Sequence, residues 1–404
     1  MKVLICGAGC AGPALAIWLA RFGHQVVIVE RSPKLRASGA QIDLRAQGIE
    51  AARRMGILPA VRGKMVDEAG ISIIDEAGRP WATILANKSG QGRQSITSEY
   101  EIMRGDLVQI LYEETKHSVQ YVFGKSVDKF EQDDVKVEVQ FSDDTSDTYD
   151  LLVGADGQGS RIRQAILPQD VDPIVHTGFH IAYWFVPRTP SDTNIGDFYN
   201  APGGRQIQRR SHNPHETQAY FILKDEAPEI RAIHRASESE QKVFWSQRFR
   251  DAGWQAHRFI EGMNTTSSWY SCEIAQVRME SWHKGRVVLI GDAAHCASPF
   301  SGMGTTGAFV GAYVLAGELS RSPEDVGAAL RAYEQTLRPF VNRVQNVNFG
   351  MRKLFMPETL LGITVGRWFM WLLTVSRISQ LMSRWAPEEH GGWELPDYPA
   401  LTTQ

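Results

Sequence analysis

Lys2–Arg31, KVLICGAGCAGPALAIWLARFGHQVVIVER, decides the fold of this 404-residue chain. Val3-Leu4-Ile5-Cys6 is a short apolar run suited to a buried parallel strand. Gly7, Gly9 and Gly12 follow in the spacing G-x-G-x-x-G. Gly7 permits the tight turn, Gly9 lets backbone approach a pyrophosphate, and Gly12 lets the next helix pack close to the strand. That helix is expected from about Ala11 to Phe22, its N-terminal N–H groups aimed at phosphates. Gly23 suits the position just past its end. Val26-Val27-Ile28-Val29 reads as the second strand. Glu30 closes it, an acid placed to bind the ribose hydroxyls of an adenosine. An isolated G-x-G-x-x-G could be a glycine-rich turn without a ligand. Strand, helix, second strand and acid in sequence favour the nucleotide.

Two distant segments repeat the pattern of a buried strand broken by an acidic turn. One is Val153–Arg163, VGADGQGSRIR. The other is Arg286–Phe309, RVVLIGDAAHCASPFSGMGTTGAF. Asp-Gly after a strand is also an ordinary turn. The ordered set of three is what points to one dinucleotide cofactor.

Between these segments the texture changes. Residues 1–173 alternate strand and helix, with a helix expected over Met103–Glu114 and an exposed strand over Val135–Val139. From 174 to 278, aromatic and β-branched runs such as His180–Phe185 and Gln218–Leu223 are separated by Pro, Gly and Asn loops, which suits an antiparallel sheet. A buried strand returns at Val287–Ile290, and a helix follows from about Thr305 to Leu319. The expected organisation is a discontinuous nucleotide domain over 1–173 and 279–345, an inserted β-sheet substrate domain over 174–278, and a C-terminal helical segment over 346–404.

Composition excludes several classes. The net charge of −3 gives no nucleic-acid footprint. The four cysteines lack metal-ligand spacing, so no metal site is expected. No secretory leader is recognisable, and a reducing, cytoplasmic location is expected. No apolar run reaches the length of a membrane span. Leu354–Trp385 is rich in Leu, Met, Phe and Trp, but Glu358, Arg367, Arg377 and Arg384 interrupt it. It is expected to pack its apolar side across a substrate cleft, with peripheral contact on a membrane surface as the other placement.

The three motifs together resemble the class A flavoprotein monooxygenases, the family of para-hydroxybenzoate hydroxylase, and look most like its tetracycline-inactivating and secondary-metabolite members. The resemblance implies an α/β fold: a Rossmann-like FAD-binding domain of the GR2 type, an inserted antiparallel β-sheet substrate domain and a C-terminal helical segment. It implies non-covalent FAD, with NADPH or NADH as transient reductant. It places Gly7, Gly9, Ala11, Gly12, Glu30, Arg31, Asp43, Arg104, Asp156, Gly157, Asp292, Pro299, Gly302, Met303, Gly304 and Thr305 at the cofactor. Met303 stands where Gln is common in the family, and Thr306 where Asn is common. Backbone donors survive both changes.

The implied reaction uses O2 to hydroxylate or epoxidise an electron-rich aromatic or polycyclic small molecule through a flavin C4a-hydroperoxide. No side chain need act as a nucleophile, because the flavin carries the chemistry. Substrate contacts are expected from His180, Ala182, Arg205, Gln206, Tyr220 and Phe300. Baeyer–Villiger oxygenation and antibiotic inactivation use the same flavin chemistry and stay open. A non-enzymatic binder of the same fold is the remote alternative. The W-x-W-x-I-P signature of the tryptophan-type halogenases is absent.

Overall fold

The computed structural model describes residues 1–36, 39–87, 100–346, 356–376 and 392–402. In chain order the first half runs β1 (Lys2–Cys6), α1 (Ala11–Arg21), β2 (Gln25–Glu30), β3 (Gln41–Asp43), α2 (Gln47–Met55), α3 (Leu58–Arg62), β4 (Gly70–Ile74), β5 (Pro80–Leu85), β6 (Glu101–Met103), α4 (Arg104–Thr115), β7 (Gln120–Phe123), β8 (Val127–Gln132), β9 (Val137–Phe141), β10 (Ser146–Tyr149), β11 (Leu151–Gly154) and α5 (Arg161–Ile166). The second half runs β12 (Ile174–Pro187), β13 (Ile195–Ala201), β14 (Arg205–Ser211), β15 (Glu216–Lys224), α6 (Pro228–Ile233), α7 (Glu238–Phe249), α8 (Ala256–Thr265), β16 (Trp269–Val277), β17 (His283–Lys284), β18 (Val287–Leu289) and α9 (Asp292–His295). A 3-10 turn over Pro299–Ser301 leads to α10 (Gly304–Arg321), α11 (Val326–Gln345), α12 (Leu360–Val375) and α13 (Pro399–Thr402).

The first sheet has the order β17-β18-β11-β1-β2-β7. Its pairs are parallel apart from β17 with β18. The central strands are apolar on both faces because helices cover both. Val3, Leu4 and Ile5 are fully buried with Leu151, Leu152 and Val153, and α1 and α10 pack beside them.

The second sheet has the order β16-β12-β15-β14-β13-β4-β5. The strands from 174–278 are antiparallel, as the loop spacing predicts. The sheet then extends beyond the expected 174–278 boundary. β4 pairs parallel with β13, and β5 closes the edge, so residues 70–85 join this sheet rather than the nucleotide layer. Gly70 has φ +154°, and a Cβ there would lie 2.4 Å from the Ile84 carbonyl oxygen, so the β4–β5 pair closes against bare backbone.

The C-terminal region divides. Met356 is buried against Phe179, Ile222 and Ile274 of the second sheet. Residues 392–402 instead return to the nucleotide domain. Tyr398 is buried there, its hydroxyl donating to Glu318 at 2.6 Å, and Trp393 donates to the Thr336 carbonyl. Within the apolar stretch Leu354–Trp385, residues 354–355 and 377–385 lie outside the described residues.

Candidate active site

The three motifs meet because their strands end side by side. Cys6 is in register with Gly154 and Val29, and Gly154 with Leu289. The glycine turn, the Ala155-Asp156-Gly157 turn and the Gly291-Asp292 turn therefore leave one carboxyl edge of the sheet, where open α/β sheets bind ligands. Gly7 has φ +112°, and a Cβ on it would lie 2.5 Å from the Ala155 carbonyl oxygen. A Cβ on Gly12 would lie 2.2 Å from the Gly7 carbonyl oxygen. Ala11 sits against Gly291, joining the first motif to the third.

Gly9 differs from its neighbours. A Cβ there would meet only the Arg104 guanidinium, at 3.6 Å, so the space above this peptide is open. Glu30 holds the loop in shape: its Oε2 accepts from the Ala8 N–H at 3.0 Å and its Oε1 from the Ser32 N–H at 2.9 Å. Each carboxylate oxygen keeps acceptor capacity for a hydroxyl. Arg31 is exposed.

The second motif is built to present a turn. Asp156 Oδ2 accepts from the Arg161 N–H at 2.8 Å, and Ser160 caps α5 by accepting from the Arg163 N–H at 2.9 Å. Arg163 is buried and donates to the Ala293 carbonyl at 3.1 Å, fastening this motif to the third. Asp156 Oδ1 is buried without a hydrogen-bond partner, and Cβ atoms on Gly157 or Gly159 would meet nothing. An orphaned carboxylate oxygen beside open backbone fits a ligand that brings donors.

In the third motif, Asp292 is open to the cleft while Ala293, Ala294, His295 and Cys296 behind it are buried. Its exposed surface is the inside of a concavity. Loss of solvent raises its carboxyl above the usual range, opposed by the Cys296 thiol and Arg104. Asp292, Met303 and Gly304 line one pocket, so the N-terminus of α10 opens beside this carboxylate. Pro299 is exposed, Thr305 half-buried, and a Cβ on Gly304 would meet nothing within 4 Å.

Beside this loop lies a charged cluster that reaches across to the second sheet. Arg45 pairs with Asp43 at 3.0 Å, and a Cβ on Gly302 would lie 3.4 Å from Asp43 Oδ2. Asp43 is paired in register with Glu101 across β3 and β6. Glu101 accepts from Gln41 and, at 2.7 Å, from Arg210 of β14, which also binds Glu68. Burial, then repulsion from Glu101, pushes the Asp43 carboxyl up to about 7 despite Arg45. Burial acts on Glu101 in the same sense, but Arg210 and hydrogen bonds from Asp43 and Gln41 outweigh it and hold that carboxyl below its usual range.

The second sheet presents two faces. Phe179, Ile181, Tyr183, Tyr220, Gln206, Gln208 and Arg210 share the face toward the nucleotide domain. Tyr183 stands 5.7 Å from Tyr220 and 5.2 Å from Tyr270, ring centre to ring centre. The Tyr220 hydroxyl donates to Gln218, which exchanges hydrogen bonds with Gln41. Phe300, from the loop before α10, meets Phe179 edge-on at 5.0 Å.

Three expected substrate residues lie on the other face. His180 is buried, bonded to His234 at 2.9 Å and to the Asp225 carbonyl. Ala182 packs with Trp245, Phe249 and Phe259 of α7 and α8. Arg205 donates to Asp251 and to the Arg248 carbonyl. The period of two along a strand puts these positions under the helices, which corrects their assignment to the cleft. Gln206, Tyr220 and Phe300 remain on it. Tyr183, Phe179, Gln208 and Arg210 complete the face, and Glu101 of β6 meets it through Arg210. Sequence could not choose between His180 and Tyr183, because His180–Phe185 is apolar or aromatic at both parities.

Comparison with known proteins agrees with this geometry. The model of the family described as FAD binding domain matches residues 1–347. The FAD-dependent monooxygenase asL4 of Sarocladium schorii is 35% identical over 99% of both chains. The FAD-dependent monooxygenase asL6 of the same organism is 36% identical over 99% of both. Among solved structures, the tetracycline destructase Tet(51) superposes with a TM-score of 0.81 at 30% identity, covering 98% of this chain and 99% of its own.

Proposed function

The chain belongs to the FAD-binding domain family and is an FAD-dependent monooxygenase, and we propose that it oxygenates an electron-rich aromatic or polycyclic small molecule held between the loop before α10 and the aromatic face of the second sheet. The observation that carries the substrate class is the contact of Phe300 with Phe179. It makes the motif loop continuous with a face bearing Tyr183, Tyr220 and Tyr270. Planar rings stack well on such a surface.

The residues fit FAD. Gly9 and the start of α1 offer bare backbone for a pyrophosphate, with Arg104 beside it as counter-charge. Glu30 retains acceptor capacity for ribose hydroxyls, and Asp292 is open to accept from the ribityl chain. The N-terminus of α10 would offer N–H groups and a positive dipole end to the negative charge of a reduced flavin. When bound and reduced by NADPH or NADH, FAD would supply the activation of O2 by which one oxygen atom enters the substrate and the other leaves as water.

The chain's own residues then orient, dry and neutralise. Gln206 and Gln208 offer amide donors and acceptors to substrate hydroxyls or carbonyls. Met356 closes the sheet face at Phe179 and Ile222 against water. The Asp43 carboxyl, whose Oδ2 accepts from Arg45 and which hydrogen-bonds to Glu101, can release or take back a proton near neutral pH.

Likeness to a tetracycline destructase favours a second reading for the substrate, a polycyclic antibiotic. One experiment covers both. A panel of phenols, indoles, aromatic polyketides and tetracycline is tested for stimulation of NADPH oxidation, with product mass and hydrogen peroxide measured together. A product one oxygen atom heavier identifies the class. Peroxide alone across the panel would overturn the aromatic assignment.

A further inference from the structure

We propose that His180 and His234 are positioning residues for Met356, which they hold on the substrate face through the backbone of Asp225. His180 of β12 is buried on the side of the sheet that the helices cover. Its hydrogen bonds have one direction. A carbonyl only accepts, so His180 Nε2 carries the proton and donates to the Asp225 carbonyl at 3.0 Å. Nδ1 of the neutral ring is then bare and accepts from His234 Nε2 at 2.9 Å. His234 Nδ1 is bare in turn and accepts from the Ser271 hydroxyl at 3.0 Å. The Ser271 oxygen accepts from the Trp245 indole N–H, also at 3.0 Å. The chain starts in α7, passes β16, the residue after α6 and β12, and ends at the residue after β15. His234 thus fixes which nitrogen of His180 holds the proton, and that nitrogen fixes Asp225.

Asp225 matters because of what it brackets. Its N–H donates to the Gly178 carbonyl at 2.8 Å, and its own carbonyl accepts from His180. Phe179 lies between those two contacts, on the cleft face. The ladder is interrupted here. Phe179 and Lys224 are the last pair of β12 with β15, and the register of β12 with β16 shifts between His176 and Phe179. The Asp225 side chain turns to the helices instead, accepting from the Ala227 N–H at 3.0 Å and pairing with Arg248 at 3.3 Å. The preceding residue, Lys224, pairs with Glu358, whose carbonyl accepts from the Gly203 N–H at 2.8 Å. Two residues before Glu358 is Met356, buried against Phe179, Ile222 and Ile274. One buried imidazole therefore sets both the wall under Met356 and the pin beside it. An effect on coupling of the reaction rests on the seal in the function proposed above; the positioning of Met356 does not.

The test uses the flavin-loaded full chain without NADPH, treated with added hydrogen peroxide. Conversion of Met356 to its sulfoxide is followed by peptide mass, and Met55, buried in the nucleotide domain, reports general loosening. His180→Leu removes the bond to Asp225. Its Met356 is expected to oxidise at least about fivefold faster than in wild type, the effect of one buried hydrogen bond, with Met55 unchanged. His180→Gln places an amide N–H where Nε2 donates and is expected to restore the wild-type rate. His234→Leu, at a half-buried position, takes away the donor that sets the His180 proton and is expected to fall between wild type and His180→Leu. It decides the matter if His180→Leu does not bind flavin. A wild-type rate in either Leu variant would overturn the proposal. So would acceleration that Gln does not reverse, which assigns His180 to packing alone, or acceleration shared by Met55. Turnover of the panel compound that yields product separates the two readings, and peroxide released per NADPH is expected to rise in His180→Leu. Faster Met356 oxidation with an unchanged peroxide yield supports the positioning and overturns the seal.

Discussion

Thr306 and Arg45 are joined twice: Thr306 Oγ1 accepts from the Arg45 N–H at 3.0 Å and donates to the Arg45 carbonyl at 3.1 Å. One hydroxyl thus fixes the first turn of α10 to the strand-and-helix segment that carries Asp43. Gly48 makes room, since a Cβ on it would lie 2.5 Å from that hydroxyl.

Thr306→Val keeps the shape and removes both bonds, taking from the Arg45 N–H its bond to Oγ1 while the Arg45 carbonyl keeps the Gly48 N–H. A loss of about 1–3 kcal/mol of stability is expected, together with faster release of flavin on dilution. Thr306→Ser should retain most of both. Thermal unfolding and flavin fluorescence measure them, and a Val variant equal to wild type would remove the anchor from the site.

The glycines of the first motif should separate by function. Gly7→Ala and Gly12→Ala meet backbone oxygen atoms at 2.5 and 2.2 Å and should lower the melting temperature of the flavin-free protein. Gly9→Ala meets only an arginine tip and should leave that melting temperature unchanged. It should still weaken FAD binding, because the methyl group occupies the pyrophosphate's approach. Melting curves with and without FAD distinguish the two behaviours.

Asp292→Ala is expected to weaken FAD binding by about 1.5–3 kcal/mol, the value of a charge-assisted bond. Asp156→Ala should act differently. Asp156 Oδ2 already accepts from the backbone of α5, so its removal costs about 0.5–2 kcal/mol of stability and a smaller share of affinity. Flavin titration of the two proteins tests the order.

Asp43 makes stability fall with pH. Its carboxyl titrates at about 7 in the folded protein, above its ordinary value of 3.8. The folded state therefore binds the extra proton between those values. The stabilisation is complete below the ordinary value and is lost as pH rises through about 7. Glu101, Arg45 and Arg210 face this group, and Glu101 runs opposite, losing its contribution as pH falls. One proton gives a slope of at most about 1.4 kcal/mol per pH unit. Asp43→Asn should gain on wild type as pH is raised from 5 to 8. Parallel melting profiles for the two proteins would show that Asp43 holds no such proton.

The sequence by itself determined the nucleotide half. Apolar runs bounded by glycine and acid specify strand, turn and helix locally, so Gly7, Gly9, Gly12, Glu30, Asp156 and Asp292 were legible at fixed spacing. Tertiary structure alone decided three other matters. Residues 70–74 pair with β13, a contact between segments over a hundred positions apart that no local pattern encodes. The choice between His180 and Tyr183 for the cleft depended on which side of β12 the helices cover, and a strand apolar on both faces hides that parity. The carboxyl of Asp43 rises because the fold takes it out of water and β3 and β6 set Glu101 beside it, against the opposing charges of Arg45 and Arg210. The charges were visible in the chain, but their mutual distances and their loss of water exist only once it is folded.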